Sequence, residues 1–198
     1  MTEETLIAAT DTLPRLLVLV GFMGAGKSSA GRELASLLGR RFLDLDEMIV
    51  RRERRSVASI FAISGEAYFR RQESRQLEQL ARKMRSAQAE ALVLAVGGGA
   101  WASPANRRTL QLARAAVIHL AAPAEVLRQR IGGGSGRPLA ADPQKFLKLY
   151  EERLALYQMA GLTVDTTNLP VAQVARQIVE RLRQAGEVPS AAKERMEL

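Results

Sequence analysis

The stretch Leu16-Leu17-Val18-Leu19-Val20-Gly21-Phe22-Met23-Gly24-Ala25-Gly26-Lys27-Ser28-Ser29 runs from five apolar residues into an octapeptide, Gly21 to Ser28, of the pattern G-x-x-x-x-G-K-[ST]. An apolar run of that length, closed by glycine, predicts a buried strand ending in a tight loop. Ala30, Leu34, Leu37 and Leu38 then recur at helical spacing, and Gly39 supplies a stop. Strand, glycine loop and helix in that order form a phosphate-binding loop. The glycines let successive backbone N–H groups face phosphate oxygens, and the helix adds its positive end. Gly24, Ala25, Gly26, Lys27, Ser28 and Ser29 are therefore expected to hold a nucleoside triphosphate. Lys27 would bridge the β- and γ-phosphates, and the Ser28 hydroxyl would ligate Mg²⁺.

Working outward, short apolar runs alternate with longer helical patterns, which predicts a parallel α/β sheet. The expected strands are Leu16–Val20, Phe42–Leu45, Ala91–Val96, Ala116–Leu120 and Leu162–Asp165. Five strands suit a three-layer α/β/α phosphate-loop fold with a central parallel sheet. Ser103-Pro104 and Asp142-Pro143 each place a capping side chain before a proline at the first helical position, so helices should start near 104 and 143. Further helices are expected over Glu66–Ala87 and Pro170–Ala185. One domain, 15–186, follows a flexible leader (1–14) and precedes a polar tail (187–198). Gly132-Gly133-Gly134-Ser135-Gly136, followed by Arg137-Pro138, is expected to be a mobile lid over about 131–142.

Composition narrows the function classes. The 198 residues are 47% hydrophobic and 25% charged, ordinary for a globular domain large enough to bury one core. No apolar stretch is long enough for a membrane span, and the acidic first residues, Met1-Thr2-Glu3-Glu4-Thr5, do not look like a secretion signal, so a cytoplasmic protein is expected. With no cysteine and a single histidine, His119, any metal must be held by oxygen. The net charge of +8 comes mainly from arginine. Aromatic residues make up only 5% and no nucleic-acid-binding signature is present, so the arginines are assigned to anionic small molecules and a solvated surface.

A phosphate loop alone does not separate a GTPase, a motor ATPase and a small-molecule kinase. Three other stretches narrow the choice. Asp44-Leu45-Asp46 is expected at the carboxyl end of the second strand, with both carboxylates on one side and Asp46 also placed to cap the helix starting at Glu47. One carboxylate would serve the Mg²⁺ shell and the other a substrate hydroxyl. Gly97-Gly98-Gly99 follows the third strand at the same edge and leaves main chain bare for a polar ligand. Arg70, with Glu73 three residues on, reads as a guanidinium steadied by a carboxylate and aimed at an anion.

Taken together, GFMGAGKSSAGRELA (21–35), DLDEMI (44–49), GEAYFRRQE (65–73), GGGA (97–100), RPL (137–139) and RLALY (153–157) resemble shikimate kinase, in order and spacing, over roughly residues 15 to 183. The resemblance implies transfer of the γ-phosphoryl of ATP to the 3-hydroxyl of shikimate, on the route to chorismate and the aromatic amino acids, by a monomer using one Mg²⁺ ion. It implies Asp46 as catalytic base, with Lys27 and Arg137 as the other catalytic residues and Asp44 joining Ser28 at the metal. Arg70 and Arg153 would grip the shikimate carboxylate beside Gly97, Gly98 and Gly99, and Arg130 would lie against adenine. Four positions depart from the family pattern. Ala155 replaces a usual proline and would let its helix run on toward Met159; Ser29 replaces threonine; Asp165 to Pro170 lacks an arginine; His119 stands at a tyrosine-like strand position. Alternatives within reach of the same motifs are a gluconate- or nucleoside-type kinase and a non-catalytic sensor with a similar pocket. A nucleic-acid-binding ATPase has only the net charge in its favour.

Overall fold

The computed structural model describes residues 13–132 and 142–187. Arg137, the lid apart from its two ends, residues 1–12 of the leader and residues 188–198 of the tail lie outside the described residues.

Strands β1 (Leu16–Val20), β2 (Arg41–Asp44), β3 (Leu92–Ala95), β4 (Ala116–Ala121) and β5 (Leu162–Asp165) form one sheet in the order β2-β3-β1-β4-β5. All four pairings are parallel. Strands β1 and β3 are buried along their whole length, as unbroken apolar runs must be when both faces of a parallel sheet are covered. Helices lie on both sides. Helix α1 (Lys27–Leu37) packs on α8 (Val171–Glu187), while α3 (Val57–Met84) packs on α5 (Pro104–Leu112). The order places the phosphate loop, after β1, between the ends of β3 and β4. The loops after β2 and β3 lie to one side of it, and those after β4 and β5 to the other. Ligands of open α/β sheets occupy this carboxyl edge.

The expected caps form. Ser103 Oγ accepts from Asn106 N and opens α5, and Asp142 Oδ1 accepts from Gln144 N and Lys145 N, both at 3.1 Å, to open α7 (Pro143–Tyr157). Most boundaries shift by one to three residues, as where α3 ends at Met84 and not Ala87, and two differences bear on the site. Strand β2 ends at Asp44 and α2 (Leu45–Glu53) starts one residue later, so Asp44, not Asp46, caps it. The two carboxylates therefore do not share a strand face: Asp46 lies in the first helical turn. The cause is Leu45, which is fully buried together with Ile49 one turn on, a helical pair that starts two residues before Glu47. Helix α3 begins at Val57, capped by Ser56, and Gly65 (φ 79°, ψ 165°) breaks it, so the expected start at Glu66 is the start of its second straight segment.

Arg51 and Arg52 lie on the exposed last turn of α2, but Arg55 is off the helix, half-buried and ion-paired with Glu53 at 2.9 Å. Helix α7 runs through Ala155, as the missing proline allows, and stops at Tyr157, before Met159. Leu13 is buried, and Arg40 donates to the Pro14 carbonyl at 2.6 Å.

Candidate active site

The loop after β1 depends on two left-handed glycines, Gly24 (φ 82°) and Gly26 (φ 84°), conformations that an L side chain resists. A β-carbon on Gly24 would also fall 2.7 Å from the Leu127 carbonyl of α6 (Ala124–Ile131), so the loop is packed from behind. Gly26 is the N-cap of α1, which places Lys27, Ser28 and the exposed Ser29 in its first turn. Lys27 Nζ donates to the carbonyls of Gly21 (2.9 Å) and Phe22 (3.1 Å) and so stays curled over the loop. Phe22 holds the loop to α7 by edge-on contacts with Phe146 (5.1 Å) and Tyr150 (5.5 Å).

Ser28 meets the next strand. Its hydroxyl lies 2.8 Å from Asp44 Oδ2, while Asp44 Oδ1 accepts from the backbone N–H of Asp46 at 3.0 Å and of Glu47 at 3.4 Å. A hydroxyl and a carboxylate held this close, at the mouth of a phosphate loop, are the hard oxygen donors Mg²⁺ takes when phosphates complete its shell. The expected pairing of Ser28 with Asp44 is therefore present as geometry, although Asp44 reaches it as a helix cap.

The opposite wall is built on the triple glycine. Gly97 caps the short helix α4 (Gly98–Ala102). A β-carbon on Gly97 would stand 3.4 Å from Asp46 Oδ1 and 3.6 Å from Glu73 Oε1; on Gly98 it would run into the Tyr157 hydroxyl, and on Gly99 into the Arg70 guanidinium. The bare positions at 98 and 99 thus let Tyr157 and Arg70 close onto one shelf, which Asp46 and Glu73 approach at ordinary contact distance beside Gly97. Arg70 is held from both sides, by Glu73 at 2.8 Å and Glu66 at 2.7 Å, with Phe61 and Phe69 under its guanidinium at 5.9 and 5.7 Å. Glu73 is 1% exposed, and this burial pushes its carboxyl up to about 7 in spite of Arg70, with Asp46 adding to the rise. Arg153, on α7, donates to the Gly98 carbonyl at 3.1 Å, so Arg70 and Arg153 bracket the shelf through Gly99 and Gly98.

Arg130, expected against adenine, reaches from the end of α6 to the loop after β5. It donates to the Thr166 hydroxyl at 3.0 Å and to the Thr166 carbonyl, and Thr166 is in turn fixed to the Ala121 carbonyl. The arginine-free segment 165–170 is thus tied to Arg130 directly. His119 is buried on β4 and stacks on Tyr157. A groove of about 740 Å³, lined in part by Trp101, Arg107, Met159 and Leu182, opens at the amino ends of the strands.

The family model for shikimate kinase matches residues 23–183. The chain belongs to the shikimate kinase family. The shikimate kinase of Halorhodospira halophila is 43% identical over 174 residues, 86% of this chain and 94% of that protein. That of Nitrosomonas europaea is 34% identical over 96% of this chain and 89% of its own. Among solved structures, the shikimate kinase of Acinetobacter baumannii in complex with shikimate superposes with a TM-score of 0.79 at 35% identity, covering 95% of this chain and all of that one.

One member of this site, Tyr157, carries no role in the sequence motifs. It closes the RLALY stretch; its signal is the spacing Phe146, Tyr150, Arg153, Tyr157, which lies along one face of a helix. Asp44 as a cap was also readable: Asp44-Leu45-Asp46-Glu47 has an acidic residue followed three places later by glutamate, as at helix starts.

Proposed function

We propose that this member of the shikimate kinase family transfers the γ-phosphoryl of ATP to the 3-hydroxyl of shikimate. The single observation that carries the proposal is the shared edge: the phosphate loop with Ser28 on Asp44 stands next to a glycine shelf where Asp46, Arg70 and Arg153 meet. A donor cradle and a receiver for a small carboxylic acid lie side by side.

In this reading Gly24, Ala25, Gly26, Lys27, Ser28 and Ser29 hold the triphosphate and Arg130 flanks the base, while Ser28 and Asp44 hold one Mg²⁺. The ion, when bound, neutralises charge on the phosphates. Arg70 and Arg153 take the shikimate carboxylate, each guanidinium offering a fork of donors that a lysine lacks. Asp46 faces the 3-hydroxyl. As that oxygen bonds to the γ-phosphorus and the bond from phosphorus to the β,γ-bridging oxygen breaks, the hydroxyl proton passes to Asp46 and ADP leaves. Lys27 exchanges its loop carbonyls for phosphate oxygens as charge shifts toward the leaving group. Arg137, in the RPL motif, adds a further positive charge for the transferring phosphoryl group.

Two arginines on the shelf favour a carboxylate-bearing acceptor over a nucleoside held through its base, membership of the shikimate kinase family favours shikimate over gluconate, which also carries a carboxylate, and the retained Lys27, Ser28, Asp44 and Asp46 favour turnover over sensing. The enzyme is expected to act as a cytoplasmic monomer, without nucleic-acid or membrane partners; among the described residues no helix is long and apolar enough to cross a membrane. Purified protein with Mg²⁺-ATP should release ADP in a coupled assay only when shikimate is added. Equal release without shikimate, or none with it, would sink the proposal.

A further inference from the structure

His119 is out of character for its position. It lies in the middle layer of the sheet, between Val20 of β1 and Thr163 of β5, and is 4% exposed. Its Nδ1 is buried with no hydrogen-bond partner, a costly arrangement where an aliphatic residue would fit the strand. Burial, aided by the charge of Lys27, holds its imidazole down to about 4, so it is a neutral flat ring at working pH. What the ring contacts is Tyr157, stacked at 5.0 Å with the planes 16° apart.

Tyr157 is itself 1% exposed, and its hydroxyl occupies the space that any side chain at Gly98 would fill. The Gly98 carbonyl in turn accepts from Arg153. The preceding carbonyl, Leu156, accepts from Trp101 Nε1 at 2.7 Å, which ties the end of α7 to α4 from the other side. Tyr157 is therefore supported on two sides, by the Trp101 bond to the carbonyl before it and by the His119 ring stacked against the face of its phenol. Tilting the phenol moves the hydroxyl against Gly98 and shifts the carbonyl on which Arg153 rests. The same strand register sets His119 beside Val20, one residue before the phosphate loop, so the stack joins the donor side of the site to the acceptor side.

We propose that His119 is a positioning residue for the acceptor: its flat ring fixes Tyr157 and, through Gly98, the seat of Arg153. This rests on the kinase reading above, in which Arg153 binds the shikimate carboxylate. The residue acts through two others and touches no substrate, so its mark is on acceptor affinity rather than on turnover.

The test compares His119→Leu, which keeps an apolar filling but removes the flat ring, with His119→Phe, which keeps the ring and removes the nitrogens. Shikimate KM and kcat are measured with Mg²⁺-ATP, and shikimate Kd is measured by calorimetry on the same preparations. Expected are a rise of about 10-fold in KM and Kd for His119→Leu, with kcat and ATP KM within about 3-fold of wild type. For His119→Phe, KM and Kd should stay within about 2-fold of wild type. Leu and Phe variants that behave alike, or a loss confined to kcat, overturn the positioning role while leaving the kinase reading standing. A wild-type protein with no shikimate-dependent ADP release overturns both.

Discussion

Asp44 divides its carboxylate between two tasks: Oδ1 accepts the backbone N–H groups that open α2, and Oδ2 accepts the Ser28 hydroxyl. The tasks separate by substitution. Asn caps a helix about as well as Asp, so Asp44→Asn should keep thermal stability within about 0.5 kcal/mol, whereas Asp44→Ala should lose about 1 kcal/mol. Both should lose turnover by more than about 100-fold if the negative charge serves Mg²⁺, as kcat in the coupled assay will show. Asp46→Asn should likewise cut kcat by more than about 100-fold with ATP binding, read by calorimetry, nearly intact. Glu73 predicts a pH effect. Its carboxyl is raised to about 7 by burial, above the ordinary 4.5, so the folded protein holds this proton more tightly than the unfolded chain. Its contribution to stability therefore falls as pH rises from about 4.5 to about 7. Its grip on Arg70 runs the other way, being charge-assisted only once the proton is lost. Shikimate KM should rise as pH falls through about 7, and Glu73→Gln should remove that step from the profile.

At the scale of elements, α4 and α7 meet through the glycines. Gly99→Ala would place a methyl on the Arg70 guanidinium, so shikimate KM should rise at least about 10-fold while ATP KM and melting temperature stay close to wild type. Much of this element map was legible in the sequence. The apolar run 16–20, the proline-marked helix starts at 104 and 143, and the glycine punctuation at 97–99 depend only on local chemistry, and each stands where the residues put it. Legibility ends where two local signals compete. At Leu45, alternation with Leu43 reads as strand, yet burial with Ile49 demands a helix, and the contacts of α2 with α3 decide in favour of the helix. At 57–64, a helix precedes Gly65 that the glycine concealed. Arg70 with Glu73 was readable from spacing alone, but the rise of the Glu73 carboxyl was not, since it comes from burial beneath distant parts of the chain. The His119–Tyr157 stack joins residues 38 positions apart and leaves no periodic trace.

At the scale of the whole molecule, the chain carries a net charge of +8, while ATP and shikimate are both anions. Raising ionic strength from about 0.1 M to about 1 M shortens the screening length from about 10 Å to about 3 Å. The KM values for both substrates should therefore rise over that range, with kcat at saturation little changed; flat KM values would assign the arginines to the solvated surface alone. The sheet order sets Arg130 and Thr166 on the β4 and β5 side of the phosphate loop, and Asp46 with the triple glycine on the β2 and β3 side. The shelf at residues 97 to 99 also has a bearing on inhibitor design. Drug resistance commonly arises by adding bulk where a compound lies close to the main chain. On this shelf, bulk at Gly98 displaces Tyr157 and bulk at Gly99 displaces Arg70. A compound seated against Gly98 and Gly99 meets a target whose simplest escape substitutions also push Tyr157 or Arg70 out of place.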